Sequence, residues 1–185
     1  MNRVLISLLI GINAASVSLA GPYDIDMRPA TAPVSRDGEL KLPPDYKNWP
    51  VYLLDVQRPE LKQIRDIYIN PQGLKSSRPF PYGTTMVMEL HSIKTGADGK
   101  PELDAYGKLQ KQALSKVFVM GKGAGWGQDV PPEQRTGEWV YAAYDASGNS
   151  LGKDMSACRG CHVPLKDTDF VARVPEFEAA RVPAR

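Results

Sequence analysis

The segment Thr84-Thr85-Met86-Val87-Met88-Glu89-Leu90-His91-Ser92-Ile93 carries the clearest structural pattern in the chain. It is rich in β-branched and other apolar residues and follows a Pro-Tyr-Gly turn, which favours an extended strand. Side chains alternate across a strand, so Met86 and Met88 share one face while Glu89 and His91 share the other. The segment therefore predicts a strand with two chemically different faces.

Other short apolar runs flank this strand, with Gly, Pro, Asn and Asp turn signals between them. Four have strand length, namely Val51–Val56, Ile64–Ile69, Val117–Met120 and Trp139–Tyr144. Helical propensity is concentrated in Leu103–Ser115, and a second short helix is expected around the two cysteines. The pattern predicts an α+β fold, mainly an antiparallel β-sheet with a few flanking helices.

Composition limits the class of protein. The chain has 185 residues, of which 42% are hydrophobic and 24% are charged, close to ordinary globular usage. An intrinsically disordered chain and a polytopic membrane protein are therefore both disfavoured. The net charge is only +2, and basic residues are scattered among acidic ones, so the sequence predicts no nucleic-acid partner.

The N-terminus resembles an export signal. Arg3 precedes a mostly apolar run, and Ser18-Leu19-Ala20 has the small residues of a cleavage site. An uncleaved anchor is the alternative, but the run is short and polar residues interrupt it. We predict a signal peptide over residues 1–20 and a periplasmic mature protein. We further expect an extended leader over 21–40, a single domain over 41–175 and a C-terminal tail over 176–185.

The segment Cys158-Arg159-Gly160-Cys161-His162 contains both cysteines of the chain and one of its two histidines. Cys-x-x-Cys-His is the attachment motif of a c-type haem, in which two thiols bind the macrocycle and the next residue ligates iron. A thioredoxin-like dithiol would be expected after an early strand of an α/β chain. A zinc site would have to recruit a distant fourth ligand such as His91. A disulfide across two intervening residues would close a strained loop, so one covalent haem c is the favoured interpretation.

The position of the motif excludes the common haem c folds. A small electron-transfer cytochrome c has its motif near the N-terminus and a methionine ligand well downstream. Here the short stretch after His162 contains neither Met nor His. A four-helix cytochrome would require long amphipathic helices, and this chain has short strands. We therefore expect a β-rich protein with its haem attached near the C-terminus.

Further motifs occur in an order that resembles the cytochrome P-460 family, which includes the cytochromes c′-β. They span roughly residues 40–172 and comprise Leu42-Pro43-Pro44-Asp45-Tyr46 with Trp49, Ile64-Arg65-Asp66-Ile67-Tyr68-Ile69-Asn70-Pro71, Phe80-Pro81-Tyr82-Gly83-Thr84-Thr85, Gly125-Trp126-Gly127, and the Cys158–His162 motif followed by Asp169-Phe170.

The resemblance implies an antiparallel sheet with flanking helices, a homodimer, and a high-spin haem open to small nitrogen ligands. Members of the family proper oxidise hydroxylamine, with nitrogen oxides as products, and for this chain we also expect an electron-transfer partner. The c′-β members instead bind nitric oxide and similar gases. Both activities are therefore expectations for this chain.

Three positions bear on the choice between these activities. A lysine cross-linked to the haem in the hydroxylamine-oxidising members is matched here by Met88, which argues against that activity. Arg65 matches the distal-pocket arginine, although its place on a strand with two isoleucines also fits a residue reaching into water. Phe118 is a candidate aromatic contact of the haem. Met88 is expected to fill the haem wall, or alternatively to be a sixth iron ligand in an electron-transfer or gas-binding cytochrome without catalysis.

Overall fold

A computed structural model describes residues 33–76 and 78–181. The expected signal peptide lies outside the described residues. The fold is a five-stranded antiparallel sheet in which each strand pairs with the next one along the chain. Its strands are β1 (Val51–Arg58), β2 (Gln63–Ile69), β3 (Thr85–Ile93), β4 (Lys111–Lys122) and β5 (Trp139–Asp145). Two α-helices follow, α1 (Ser156–His162) and α2 (Val174–Arg181), and short 3₁₀ turns connect several elements.

The five predicted strands and the short helix at the cysteines are confirmed. The predicted helix over Leu103–Ser115 is wrong. Residues 94–110 form two tight turns, closed by bridges between Thr95 and Pro101 and between Leu103 and Leu109, and β4 begins at Lys111. Gly107, with φ of 76°, and the Asp104 carboxylate, which accepts from two backbone N–H groups, stabilise the second turn instead of a helix.

Strand register brings the residues of one sheet face into rows. In the first row Arg65 pairs with Leu90, which pairs with Lys116. The second row contains Ile67, Met88 and Phe118, and the third contains Ile69, Met86, Met120 and Tyr141. We call this the cavity face. The predicted sharing of one face by Met86 and Met88 is confirmed.

The C-terminal segment covers part of the cavity face. Phe177 of α2 is buried and stacks on Tyr52 of β1, with ring centroids 4.2 Å apart. The Tyr52 hydroxyl donates to the Ala172 carbonyl over 2.8 Å. Burial of these two stacked aromatic side chains stabilises the docking of α2 on the sheet.

The sheet face opposite the cavity face packs against the segment that precedes β1. Val87, Val117, Val119 and Ala142 are buried there beneath Tyr46, with Leu40, Leu42 and Trp49 beside them. The N-terminal segment is therefore a cover for this face. Within the described residues no helix is long and apolar enough to cross a membrane.

Candidate functional site

A cavity of about 510 Å³ lies between the cavity face of the sheet and α1. This is within the range of about 300–1,000 Å³ usual for ligand and cofactor sites. Apolar side chains of the strands form its floor, including Ile67, Met86, Met88, Leu90 and Phe118. Met88 and Phe118, which were predicted to lie at a haem, both line this cavity.

Helix α1 presents the Cys-x-x-Cys-His motif to the cavity. Positions i, i+3 and i+4 share one side of a helix, so Cys158, Cys161 and His162 project together, and all three line the cavity. Cys158 is half-buried and Cys161 is exposed, and the two thiols are not joined in a disulfide. Burial raises the pKa of the Cys158 thiol, so it is uncharged near neutral pH.

His162 has one ring nitrogen engaged and one free. Nδ1 lies 2.6 Å from the Phe170 carbonyl oxygen. A carbonyl only accepts hydrogen bonds, so Nδ1 carries the proton and Nε2 keeps its lone pair. Burial lowers the pKa of His162, although the bond to Phe170 opposes this shift, and the ring is therefore neutral at physiological pH. Tyr141 packs against the imidazole at 5.2 Å between centroids.

The Phe170 carbonyl is held in an unusual backbone segment. Asp169 and Phe170 have φ of 54° and 61°, the left-handed region that non-glycine residues seldom adopt. The Asp169 carboxylate accepts from Lys122 Nζ at 2.6 Å and from the Phe80 N–H at 2.8 Å. The Asp169 carbonyl accepts from Trp139 Nε1 at 2.8 Å. These three bonds fix a conformation that is intrinsically costly by about 1–3 kcal/mol per residue.

Arg159, between the two cysteines, anchors α1 to the N-terminal segment. It is 1% exposed. Its Nε and Nη2 donate to the two oxygens of Asp37 at 2.6 and 2.8 Å, a bidentate pair. Nη1 donates to the Gln134 carbonyl and to Thr136 Oγ1. The role of Arg159 as an anchor was not predicted from the sequence, because the two positions between the cysteines of the motif can hold any residue type.

Arg65 lines the cavity and is half-buried. This placement favours the pocket interpretation over a strand-end residue reaching into water. Its Nη2 donates to Gln63 Oε1 at 3.3 Å, while its Nε is buried without a hydrogen-bond partner. Such an unsatisfied guanidinium nitrogen is suited to an anionic or polar ligand group. Arg58, Lys116 and Arg173 also line the cavity, so this end is cationic.

His91 belongs to a different site on the opposite sheet face. Its Nε2 lies 3.3 Å from Asp66 Oδ2 and 3.4 Å from Glu89 Oε2. Lys111 Nζ lies 2.7 Å from both Asp66 oxygens, and Lys47 Nζ lies 3.1 Å from Glu89. We call Asp66, Glu89, His91, Lys111 and Lys47 the ion-pair cluster.

Asp66, Glu89 and His91 offer the carboxylate and imidazole ligands of a divalent-metal site. However, two carboxylates are already balanced by two lysines. A cation would have to approach this neutral group and displace Lys111, so the cluster is better described as a structural ion-pair network.

The geometry is that of a cofactor-binding protein. An apolar cavity lies between a β-sheet and a helix that contributes two thiols and one imidazole. The chain matches the family model described as Cytochrome P460 over residues 43–173 and belongs to that family. Family membership makes the protein a haem-binding cytochrome. Comparison with the curated proteins finds no significant match to this chain.

Proposed function

We propose that the protein is an exported, mono-haem c-type cytochrome that binds or transforms small nitrogen species such as nitric oxide or hydroxylamine. The observation that carries this proposal is the convergence of Cys158, Cys161 and His162 on one apolar cavity. Their spacing is that of covalent haem attachment. The N-terminal signal supports a periplasmic location, where such attachment takes place.

The residues of the cavity fit a haem in three respects. Two unpaired thiols are available for thioether links. The Nε2 lone pair of His162 is free for iron, because Nδ1 is held by Phe170. The unpartnered Nε of Arg65, with the other cations at its end of the cavity, suits carboxylates of the macrocycle or a polar ligand. A bound haem supplies a redox-active iron that can coordinate a small ligand.

The chain's own residues then define the environment of that ligand. Met88, Phe118 and Ile67 form an apolar row that excludes water. Arg65 borders this row and can donate hydrogen bonds to a bound molecule or stabilise negative charge on it. Met88 has no amine for a further cross-link to haem, so we favour ligand binding over complete hydroxylamine oxidation. Electron transfer to or from the haem would require a redox partner. We also propose that the protein is a homodimer.

A second candidate is an electron-transfer or gas-binding cytochrome without catalysis, with Met88 as sixth ligand. It is favoured by one observation, the presence of the Met88 thioether on the cavity wall. A methionine ligand would occupy the position that a nitrogen species requires. The two functions therefore predict different ferric spectra.

Absorption spectroscopy of the purified holoprotein tests the proposal. We expect a c-type pyridine haemochrome, a high-spin ferric spectrum, and new bands on addition of nitric oxide or hydroxylamine. Mass spectrometry should give two thioether links in wild type and one in Cys158→Ala, with no third link. A low-spin ferric spectrum that becomes high-spin in Met88→Leu would favour the second candidate. Haem lost on acid–acetone extraction of wild type would exclude covalent attachment.

A further inference from the structure

Lys122 and Asp169 form an ion pair beside the haem motif that the proposed function does not use. Their side chains are 9% and 14% exposed, and Nζ lies 2.6 Å from Oδ2. Lys122 Nζ also donates to the Phe80 carbonyl over 2.9 Å and lies 5.8 Å from the centroid of the Trp139 ring. Removing two charges from water is costly, and an apolar pair of similar size is often as stable or more stable. Fold stability alone is thus a weak reason for this pair.

The pair is linked to His162 through the backbone of Asp169 and Phe170. Lys122 fixes the Asp169 carboxylate, Asp169 precedes Phe170, and the Phe170 carbonyl meets His162 Nδ1 at 2.6 Å. Both Asp169 and Phe170 are in the left-handed backbone region. Without its anchors this segment would relax toward ordinary φ values, which would turn the Phe170 carbonyl away from the imidazole.

A hydrogen bond from the second nitrogen of a metal-binding histidine has two effects. It fixes the orientation of the ring, and it makes the coordinating nitrogen a stronger donor. A stronger donor stabilises oxidised iron relative to reduced iron, which lowers the reduction potential. Any group that holds the Phe170 carbonyl in place therefore acts on iron through His162.

We propose that Lys122 and Asp169 are positioning residues that hold the Phe170 carbonyl in hydrogen-bonding contact with His162. They thereby influence the strength of the iron–histidine bond and the reduction potential of the haem. This inference rests on the proposed function, because it requires His162 to ligate iron. Neither residue touches the ligand. Their effect is transmitted by the backbone of residues 169–170.

The test uses the holoprotein with two variants, Asp169→Asn and Lys122→Met. Asp169→Asn keeps an oxygen for the Phe80 N–H while removing the charge that Lys122 requires. In both variants we expect the ferrous iron–histidine stretching frequency in resonance Raman spectra to fall and the reduction potential to rise. Because the residues act as one unit, the double variant should shift no further than the larger single shift.

The matched control is Lys111→Met. Lys111 makes an ion pair of similar length, 2.7 Å to Asp66, on the opposite face of the same sheet. It should lower the unfolding midpoint without moving the iron–histidine frequency or the potential. Lys122→Arg, which keeps the charge, should fold and shift both values less than Lys122→Met.

The outcomes separate the inference from the proposal on which it rests. A wild-type ferrous protein that is five-coordinate and high-spin, yet has no iron–histidine band, would refute ligation by His162. A wild-type band that stays in place in a folded Asp169→Asn protein, together with an unchanged potential, would overturn the positioning role alone. If Lys122→Met fails to fold, Asp169→Asn and Lys122→Arg still decide the question. Equal shifts in Lys111→Met would also contradict the inference, since they would show a general effect of charge.

Discussion

The two histidines lie on opposite faces of one sheet and have opposite surroundings. His162 donates to a neutral carbonyl, and its other nitrogen is available to an apolar cavity. His91 Nε2 lies between two carboxylates that lysines already neutralise. The first imidazole has the geometry of the iron ligand that we propose, and the second is a member of an ion-pair network. The role of a histidine thus depends on its partners more than on its burial, since both rings are partly buried.

The largest expected difference between the two sheet faces is in the haem spectrum after each histidine is replaced with glycine. We expect His162→Gly to lose the iron–histidine band completely, because no other described side chain of the motif offers an imidazole. Added imidazole should restore a histidine-like spectrum by entering the space. His91→Gly should keep the wild-type spectrum. A changed haem spectrum in His91→Gly would show that the two faces are coupled.

The anchors on the two faces should differ in their effect on stability. Arg159→Ala leaves Asp37 without its buried partner, and we expect it to lower the free energy of unfolding by about 3–5 kcal/mol. Lys111 is 34% exposed and the buried Asp66 keeps its hydrogen bond from the Asp55 N–H, so Lys111→Met should cost less, about 1–3 kcal/mol. Guanidinium denaturation of the two variants measures the difference. Equal losses would mean that the Arg159–Asp37 pair contributes no more than the partly exposed Lys111–Asp66 pair.

The carboxylates of the ion-pair cluster should make stability depend on acid pH. Burial opposes the charged form of Asp66, but hydrogen bonds from the Asp55 N–H and Lys111 lower its pKa below the usual value. Burial also opposes ionisation of Glu89, whereas hydrogen bonds from Tyr46 and Lys47 lower its pKa. A lowered folded-state pKa gives stability that is present above about pH 4 and is lost as the pH falls through the folded value.

Asp66→Asn tests that dependence. We expect it to lower the free energy of unfolding at pH 7 by about 1.5–3 kcal/mol, the range for hydrogen bonds to charged groups. Between about pH 5 and 3, stability should fall less steeply in Asp66→Asn than in wild type. The slope of unfolding free energy against pH gives the comparison. An unchanged slope would show that Asp66 has the same pKa in both states.

The smallest expected effect is that of Met88→Leu on the cavity face. The two side chains have similar volumes, so the substitution should cost less than about 1.5 kcal/mol. If Met88 only fills the wall, the ferric spectrum and spin state should stay as in wild type. Thermal unfolding and absorption spectra measure both. A change of spin state would show that the thioether ligates iron.

Local sequence patterns predicted most of the fold and the residues of the Cys-x-x-Cys-His motif, but not the ion pairs that hold the motif in place. Alternation and turn residues predicted the five strands, and motif spacing predicted that Cys158, Cys161 and His162 act together. The Leu103–Ser115 helix was wrongly predicted because residues of high helix propensity outweighed Gly107 and the turn-forming Asp104. Arg159–Asp37 and Lys122–Asp169 could not be predicted, since pairing between distant residues leaves no periodic signal in a single sequence.

The Arg159–Asp37 pair joins residues 122 positions apart, which has a consequence for the order of folding. Contacts of such long range form late, because closing a long loop is entropically costly before the intervening chain is organised. The sheet can therefore assemble while the cysteine-bearing helix is still undocked. Under the proposed function, we expect the thiols to be most accessible for haem attachment at this stage. Closure of the Asp37 contact would then lock a helix that already carries its cofactor.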